Sequence, residues 1–476
     1  QPCRRDTQLA AEDGLRRAMT DTTVKLASPA AARTRLMLEG PIVATLLRLA
    51  VPNLVVNVVL IAVTTSVDAH FIGRLGLDSL AGLALVFPLL MLMQQMANMA
   101  MGGAIAASIA RAIGAGRRED AASLIIHALA IAAGAAALFS AVFLLAGPGI
   151  YGLLGGRGPI LAAALEYSNV IFAGALVYWL LGTLTSVVRA TGQVAILAYV
   201  YVGAEILHIA LVPALVFGLG PVPALGVTGA GLATVISFTA STATLAWYLA
   251  SGRTSVALSL RGIRFERRLF GEILRVGAPM SLAPVLNNVA LATLTTYAGL
   301  LGVTSLAAFG AAVRLEYLLY PLNFGLGAAV LAMVGSNIGA RQFTRAARIA
   351  WTAVGLSACV MACVSVLAIA APDLWMGLFT HDPGILAEAA GYLAVVGLAY
   401  PFVAVNTLMS AFQATRQPEW PLAAMTCRLL VVVLGGWVAI EVLQAGLMGL
   451  GLVTALGLAS WGIVLAAAFR LYARLR

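Results

Sequence analysis

The chain has 476 residues, of which 61% are hydrophobic and 10% are charged, with a net charge of +10 and a mean hydropathy of +0.98. This composition excludes an ordinary water-soluble globule and predicts an all-α, polytopic integral membrane protein. Apolar runs long enough to cross about 30 Å of hydrocarbon recur along the chain. They predict twelve transmembrane helices, at 42–73, 79–112, 121–145, 163–188, 194–218, 225–250, 268–301, 304–336, 347–371, 385–413, 420–443 and 446–470.

An internal repeat divides these helices into two sets of six. "FIGRLGLDSLAG" (71–82) aligns without gaps on "YAGLLGVTSLAA" (297–308), and "AIGAGRREDAA" (112–122) aligns on "NIGARQFTRAA" (337–347). The repeat therefore predicts two pseudo-symmetric six-helix bundles of the same orientation. Parallel repeats of this kind are typical of transporters, with the substrate site between the halves.

The predicted domains follow from the spans and the repeat. Residues 1–38 are polar and mixed in charge, and we expect a flexible cytoplasmic tail without a cleavable signal. The N-terminal bundle is predicted at 39–250, a cytoplasmic linker loop at 251–268 and the C-terminal bundle at 269–476.

The basic residues predict the orientation, because short loops rich in arginine stay on the cytoplasmic side. With both termini cytoplasmic, only Arg74 and Arg157 fall in outside loops, while Arg314 and Arg428 fall inside predicted helices. The positive charge is thus explained by topology, and we expect no nucleic-acid partner.

The first predicted helix carries a polar stripe. At 100° per residue, Asn53, Asn57, Thr64 and Asp68 fall within about 60° of arc. Polar groups in a membrane face the bundle interior or a wet cavity, and an intramembrane carboxylate is a functional candidate. Asp68 is therefore the predicted ion-coupling residue, with Asn57 and Thr64 as candidate substrate contacts. The alternative is that Asp68 extends to the outer interface near Arg74.

The fifth predicted helix has a shorter stripe of Tyr201, Glu205 and His208, again within about 60° of arc. Glu205 and His208 are one turn apart and could share a proton, so both are predicted ion-coupling residues, with Tyr201 a candidate substrate contact. A structural role for His208 is the open alternative.

The C-terminal half carries less charge. By the repeat register, Leu294 is the counterpart of Asp68. Asn288 is a candidate substrate contact on the seventh helix, although helix packing explains it equally well. Arg314 and Glu316 point about 200° apart and cannot pair with each other, so a structural brace is the first interpretation.

Several segments also resemble a known family. "SVDAHFIGRLG", "GAIAASIARAIGAGRREDAA", "VVRATGQ", "RLEYLLYPLNFGLGAAV" and "FQATRQP" are similar to segments of the multidrug and toxic compound extrusion (MATE) transporters, closest in pattern to the branch of the DNA-damage-inducible protein F. The resemblance covers about residues 39–470 and implies a V-shaped, twelve-helix protein. It also implies that Asp68 is the ion-coupling carboxylate. This chain departs from the family pattern at His208 and Val212, where an asparagine and an aspartate are usual.

These features predict secondary active efflux of organic compounds, cationic or amphipathic, by antiport against protons or sodium ions and by rocking alternating access. Protonation of Asp68 would remove a charge that binds a cationic substrate or holds the N-terminal helices in one packing. The expected setting is a monomer in lipid of the bacterial inner membrane, with no cofactor and no metal site. A flippase for a lipid-linked sugar is the alternative, but it would need several cavity arginines. A membrane enzyme is not expected, because the four histidines lie in separate segments.

Overall fold

The computed structural model describes residues 29–219, 223–252, 254, 256 and 265–474. Side chains are not described at 29–31, 55–63, 65, 318, 321, 322 and 474. The predicted tail lies outside this part of the chain up to residue 28, and its remainder forms helix α1, Pro29–Glu39. Most of the predicted linker loop also lies outside it, so the domain boundaries stay predictions.

The first half of the described chain forms six crossing segments. They are α2 (Ile42–Gly73); α3 (Leu77–Gln95), which continues through a π-helical turn (Met96–Met101) into α4 (Gly102–Gly114); α5 (Arg118–Leu153); α6 (Gly158–Ala173) with α7 (Ala175–Ala190); α8 (Val194–Phe217); and α9 (Gly226–Ala250).

The second half repeats this arrangement. Its segments are α10 (Arg267–Met280) with α11 (Leu282–Leu300); α12 (Val303–Gly339); α13 (Phe343–Ala370); α15 (Pro383–Gly397), α16 (Tyr400–Val403) and α17 (Thr407–Thr415); α18 (Glu419–Trp437) with a π-helical turn (Val438–Val442); and α19 (Gly446–Arg474). A short helix, α14 (Pro372–Met376), follows α13. The twelve segments agree closely with the predicted spans, which confirms the all-α, polytopic membrane fold.

Matching bends mark the pseudo-symmetry. The pair α6 and α7 is bent by 49° around Gly174, and the corresponding segment of the second half, from α15 to α17, is bent by 54°. Within the described residues, eight helices are long and apolar enough to cross a membrane, and the bent pairs raise the number to ten. Helices α2 and α12, of 32 and 37 residues, complete the twelve segments.

The two bundles meet at one end, called here the basic end, where the chain turns at residues 115–117, 191–193, 340–342 and 416–418. Arg111 donates to the backbone carbonyl of Ala414 at 2.8 Å, and Arg268 pairs with Asp120 at 3.1 Å. Both contacts join the N-terminal to the C-terminal bundle. The structure is therefore closed at the basic end.

Two symmetry-related glycines allow this close approach. A Cβ built on Gly114 would lie 2.0 Å from the backbone oxygen of Ser336, and one built on Gly339 would lie 2.1 Å from that of Arg111. The repeat aligns Gly114 with Gly339, and Arg111 with Ser336. Helices α4 and α12 thus cross through a reciprocal backbone contact that only glycine permits.

We expect Gly114→Ala to force the bundles apart at the basic end, because the added methyl group meets backbone that cannot yield. Spin labels at Glu119→Cys and Thr344→Cys, in a background without the native cysteines, should report longer distances by electron double resonance. Gly134→Ala is the matched control, because its Cβ would meet nothing within 4 Å. Unchanged distances in Gly114→Ala would contradict the close-packing interpretation.

Candidate functional site

Asp68 lies inside the N-terminal bundle and is 5% exposed. Its Oδ1 is 3.0 Å from Nε2 of His208 on α8, and Tyr167 on α6 donates its hydroxyl to Oδ2 at 3.2 Å. Both carboxylate oxygens are therefore bonded within the bundle. This geometry contradicts the alternative in which Asp68 extends to the membrane surface.

A second polar pair lies beside this cluster. Thr64, one turn before Asp68 on α2, donates its hydroxyl to Oε1 of Glu205 at 2.7 Å. The other carboxylate oxygen of Glu205 is buried without a hydrogen-bond partner in the described part of the chain. Glu205 and His208 thus bind separate partners on α2, and no hydrogen bond between their side chains is among the described contacts.

A small space, called here the N-bundle cavity, adjoins Asp68 and has a volume of about 40 Å³. Its lining comprises Thr64, Asp68, Leu83, Phe87, Leu90, Met91, Gln94, Tyr167, Tyr178, Thr234 and Phe238. A water molecule needs roughly 10–15 Å³ on the same measure, so the cavity has room for a few waters but not for an organic molecule. Water in this space could exchange protons with Asp68.

The other predicted site residues are placed differently. Tyr201 is 3% exposed, lies 3.0 Å from the hydroxyl of Thr185 and lines neither of the two cavities described here. Asn288 donates to the carbonyl of Pro284 on its own helix at 2.8 Å and also lies outside both linings. The side chain of Asn57 is outside the described residues. The structure thus groups Asp68, Glu205, His208 and Thr64 but not Tyr201 or Asn288.

A larger space, called here the central cavity, lies between the two bundles and has a volume of about 120 Å³. Amide, aromatic and methionine side chains dominate its lining, which includes Gln95, Asn98, Met99, Asn287, Tyr320, Asn323, Phe324, Asn406, Met409 and Gln413. Among the described lining residues, Arg189 alone carries a formal charge. The sequence-predicted carboxylates therefore do not face this space.

Arg189, at the end of α7, is 6% exposed. Its Nε donates to Oδ1 of Asn53 at 3.0 Å, and its guanidinium lies 4.8 Å from the ring centroid of Phe324 in the opposite bundle. Arg189 is not among the residues predicted from the sequence, because an arginine at the end of a span is sufficiently explained as a topology signal. The repeat contained a clue, since "RATGQ" aligns Arg189 with Gln413, which also lines the central cavity.

The C-terminal bundle contains a buried acid of its own. Glu316 is 7% exposed and accepts a hydrogen bond from Tyr392 at 3.3 Å. Tyr392 is the repeat counterpart of Tyr167, so equivalent tyrosines donate to a carboxylate in each bundle. Arg314 is exposed and lies 5.0 Å from the ring centroid of Phe379. As expected from their spacing, Arg314 and Glu316 have separate partners.

Arg428 connects this region to the central cavity. It is 4% exposed and donates to Oδ1 of Asn287 at 2.9 Å. Tyr320 also donates to Asn287 Oδ1, at 3.2 Å. Asn287, the neighbour of the predicted Asn288, is thus the residue of this helix that contacts the central polar network.

Comparisons with solved structures support the fold. One structure of a MATE protein in the bent conformation has a TM-score of 0.86 and 24% identity, covering 93% of this chain and 98% of that one. Another, described as the outward-facing conformation of a multidrug resistance MATE family transporter, has a TM-score of 0.81 and 23% identity, covering 92% and 98%. At these identities the similarity concerns the fold alone.

Sequence comparisons identify the family. A "FAD transporter" of Shewanella oneidensis is 27% identical over 409 residues, covering 84% of this chain and 88% of the relative. A "Probable multidrug resistance protein NorM" of Thermotoga maritima is 25% identical over 413 residues, covering 85% and 87%. The MatE family model matches residues 54–214 and 279–438, one segment in each bundle. The chain therefore belongs to the MatE family of membrane transporters.

Proposed function

We propose that this transporter exports organic small molecules by antiport against protons, with Asp68 as the residue that binds and releases the driving proton. The observation that carries the proposal is the buried cluster of Asp68, His208 and Tyr167 beside a cavity with room for water. An ionisable group held inside a membrane bundle is costly unless it has a partner, and such groups mark ion pathways. No enzymatic activity is proposed.

The partners of Asp68 favour protons over sodium. Hard cations such as sodium are held by several oxygen ligands, as calcium and magnesium are. Here one oxygen of Asp68 faces the ring nitrogen of His208, and the other faces the donating hydroxyl of Tyr167. A proton can be shared between Asp68 and His208 without rearranging either contact.

Glu205 extends this cluster toward a second proton site. Among the described residues, only one of its two carboxylate oxygens has a donor, the hydroxyl of Thr64. A buried carboxylate oxygen without a donor is unfavourable, and a bound proton would relieve it. Glu205 therefore takes the place of the aspartate that the resemblance led us to expect at Val212.

Alternating access connects this cluster to export. The structure is closed at the basic end, where Arg111 and Arg268 join the bundles. The positive-inside rule places this end and both termini on the cytoplasmic side of a bacterial inner membrane. We propose that protonation changes the packing of α2, α6 and α8 and that the bundles then rock to open the basic end. A monomer suffices for this cycle.

The lining of the central cavity allows substrates other than the cationic compounds expected from the sequence. A cationic compound, expected from the sequence, would meet no carboxylate among the described residues that line the central cavity. The similarity to multidrug resistance proteins supports organic drugs as substrates, and the similarity to a FAD transporter adds flavin compounds as candidates. Each substrate would bind in the central cavity once the bundles separate.

A lipid-linked sugar flippase is the second candidate. Such a protein needs several arginines around a diphosphate. Two arginines fall inside helices predicted from the sequence. Arg314 is exposed, and Arg428 donates to Asn287, so neither is available for a diphosphate. Lipid scrambling by purified protein in vesicles, compared with transport of soluble dyes, distinguishes the two functions.

We expect Asp68→Asn to fold normally and to abolish transport driven by a pH gradient, because asparagine keeps the shape but cannot bind the proton. Proteoliposomes would be tested with ethidium and riboflavin 5′-phosphate, with internal pH recorded and with sodium present or absent. Asp78→Asn, an exposed aspartate at the start of α3, is the matched control. Proton-driven transport at the wild-type rate by Asp68→Asn would refute the assignment.

We expect His208→Gln to lower proton-driven transport on the order of tenfold or more, because glutamine keeps a donor for Asp68 but cannot take up a proton. The pH profile of transport in proteoliposomes measures the effect. His70→Gln provides the control, since His70 is exposed on α2. An unaltered pH profile would assign His208 a purely structural role.

A further inference from the structure

We propose that the central cavity binds organic anions, and that Arg189 pairs with the negative group of the substrate. This inference rests on the proposed export function and specifies its substrate class. It differs from the expectation of cationic substrates because it starts from the charge on the cavity wall rather than from Asp68, which lies in a separate space.

Arg189 is a buried cation without an acidic partner. It is 6% exposed. In the part of the chain that the structure describes, no carboxylate oxygen lies within 4.0 Å of its guanidinium nitrogens. Arg416, by contrast, pairs with Glu272 at 2.8 Å. A buried charge is unfavourable unless it is paired, so the site of Arg189 is completed by an anion.

The guanidinium is also oriented for a ligand. The Nε donates a hydrogen bond to Asn53, and the ring of Phe324 packs against the guanidinium. The two terminal nitrogens have no protein partner among the described contacts, and neither is sealed off from the cavity that Arg189 lines. These nitrogens form a fork that matches a carboxylate, sulfonate or phosphate group.

The rest of the wall suits the organic part of such a ligand. The rings of Phe324 and Tyr320 provide apolar, flat surfaces, and the amides of Asn98, Asn323 and Gln413 can donate or accept hydrogen bonds. In the described lining no acidic side chain would repel an anion. A planar, partly aromatic compound with one acidic group therefore fits the cavity chemistry.

The proposal can be tested with two ligands that differ only in a phosphate. Binding of riboflavin 5′-phosphate and of riboflavin to purified protein in neutral detergent would be measured by flavin fluorescence. We expect the wild-type protein to bind the phosphate form about tenfold or more tightly, as a charge-assisted hydrogen bond to a buried group implies. Ethidium, a planar cation of comparable size, should bind more weakly than the phosphate form.

Variants assign the preference to Arg189. We expect Arg189→Gln to bind both flavins equally and Arg189→Lys to retain part of the preference, because lysine keeps the charge but not the fork. Arg157→Gln removes an exposed arginine far from the cavity and should retain the full preference. Size-exclusion profiles would show that each variant is folded.

Equal binding of the two flavins by the wild-type protein, or tighter binding of ethidium, would overturn the proposal without any variant. A phosphate preference that survives in Arg189→Gln would overturn the role of Arg189. The measurement needs no pH gradient, so it is independent of coupling. A wild-type protein that prefers the phosphate form but shows no proton-driven transport would refute the antiport proposal alone.

Discussion

The cost of burying charge in a medium that cannot solvate it governs this structure. The buried acids and arginines of the described bundles have specific donors or acceptors. Asp68 has His208 and Tyr167, Glu316 has Tyr392, and Arg189 has Asn53 on one side only. Two groups to which we assign function have incomplete bonding. Among the described contacts, Glu205 has no donor for one carboxylate oxygen, and Arg189 has no anionic partner.

The two bundles are pseudo-symmetric, but their buried acids have different positions and partners. Tyr167 and Tyr392 are counterparts, and each donates to a carboxylate. The acids themselves are not counterparts, because Leu294 occupies the position of Asp68 and, in the same register, Leu90 occupies that of Glu316. In the C-terminal bundle the acid has only a tyrosine, Tyr392, among its described hydrogen-bond partners. In the N-terminal bundle the partner is a histidine, which can gain or lose a proton.

The sequence predicted what depends on periodicity and failed where distant helices had to be brought together. The twelve segments, the repeat and the stripe containing Thr64 and Asp68 follow from hydrophobic runs and helical geometry. That His208 bonds to Asp68 rather than to Glu205 depends on how α8 packs against α2. The sequence alone does not reveal whether Asn287 or Asn288 faces the partner bundle, and in the structure it is Asn287 that lines the central cavity.

Arg189 illustrates a further limit of sequence analysis. At the end of a hydrophobic segment an arginine is explained sufficiently by topology, and nothing in the local pattern distinguishes a solvated side chain from one turned inward. The distinction arises from the hydrogen bond to Asn53 and from the approach of Phe324, both of which are tertiary features. The proton and substrate sites that we propose lie in separate spaces. Competition for one shared group cannot couple them, so coupling must act through the positions of the helices that connect the two cavities.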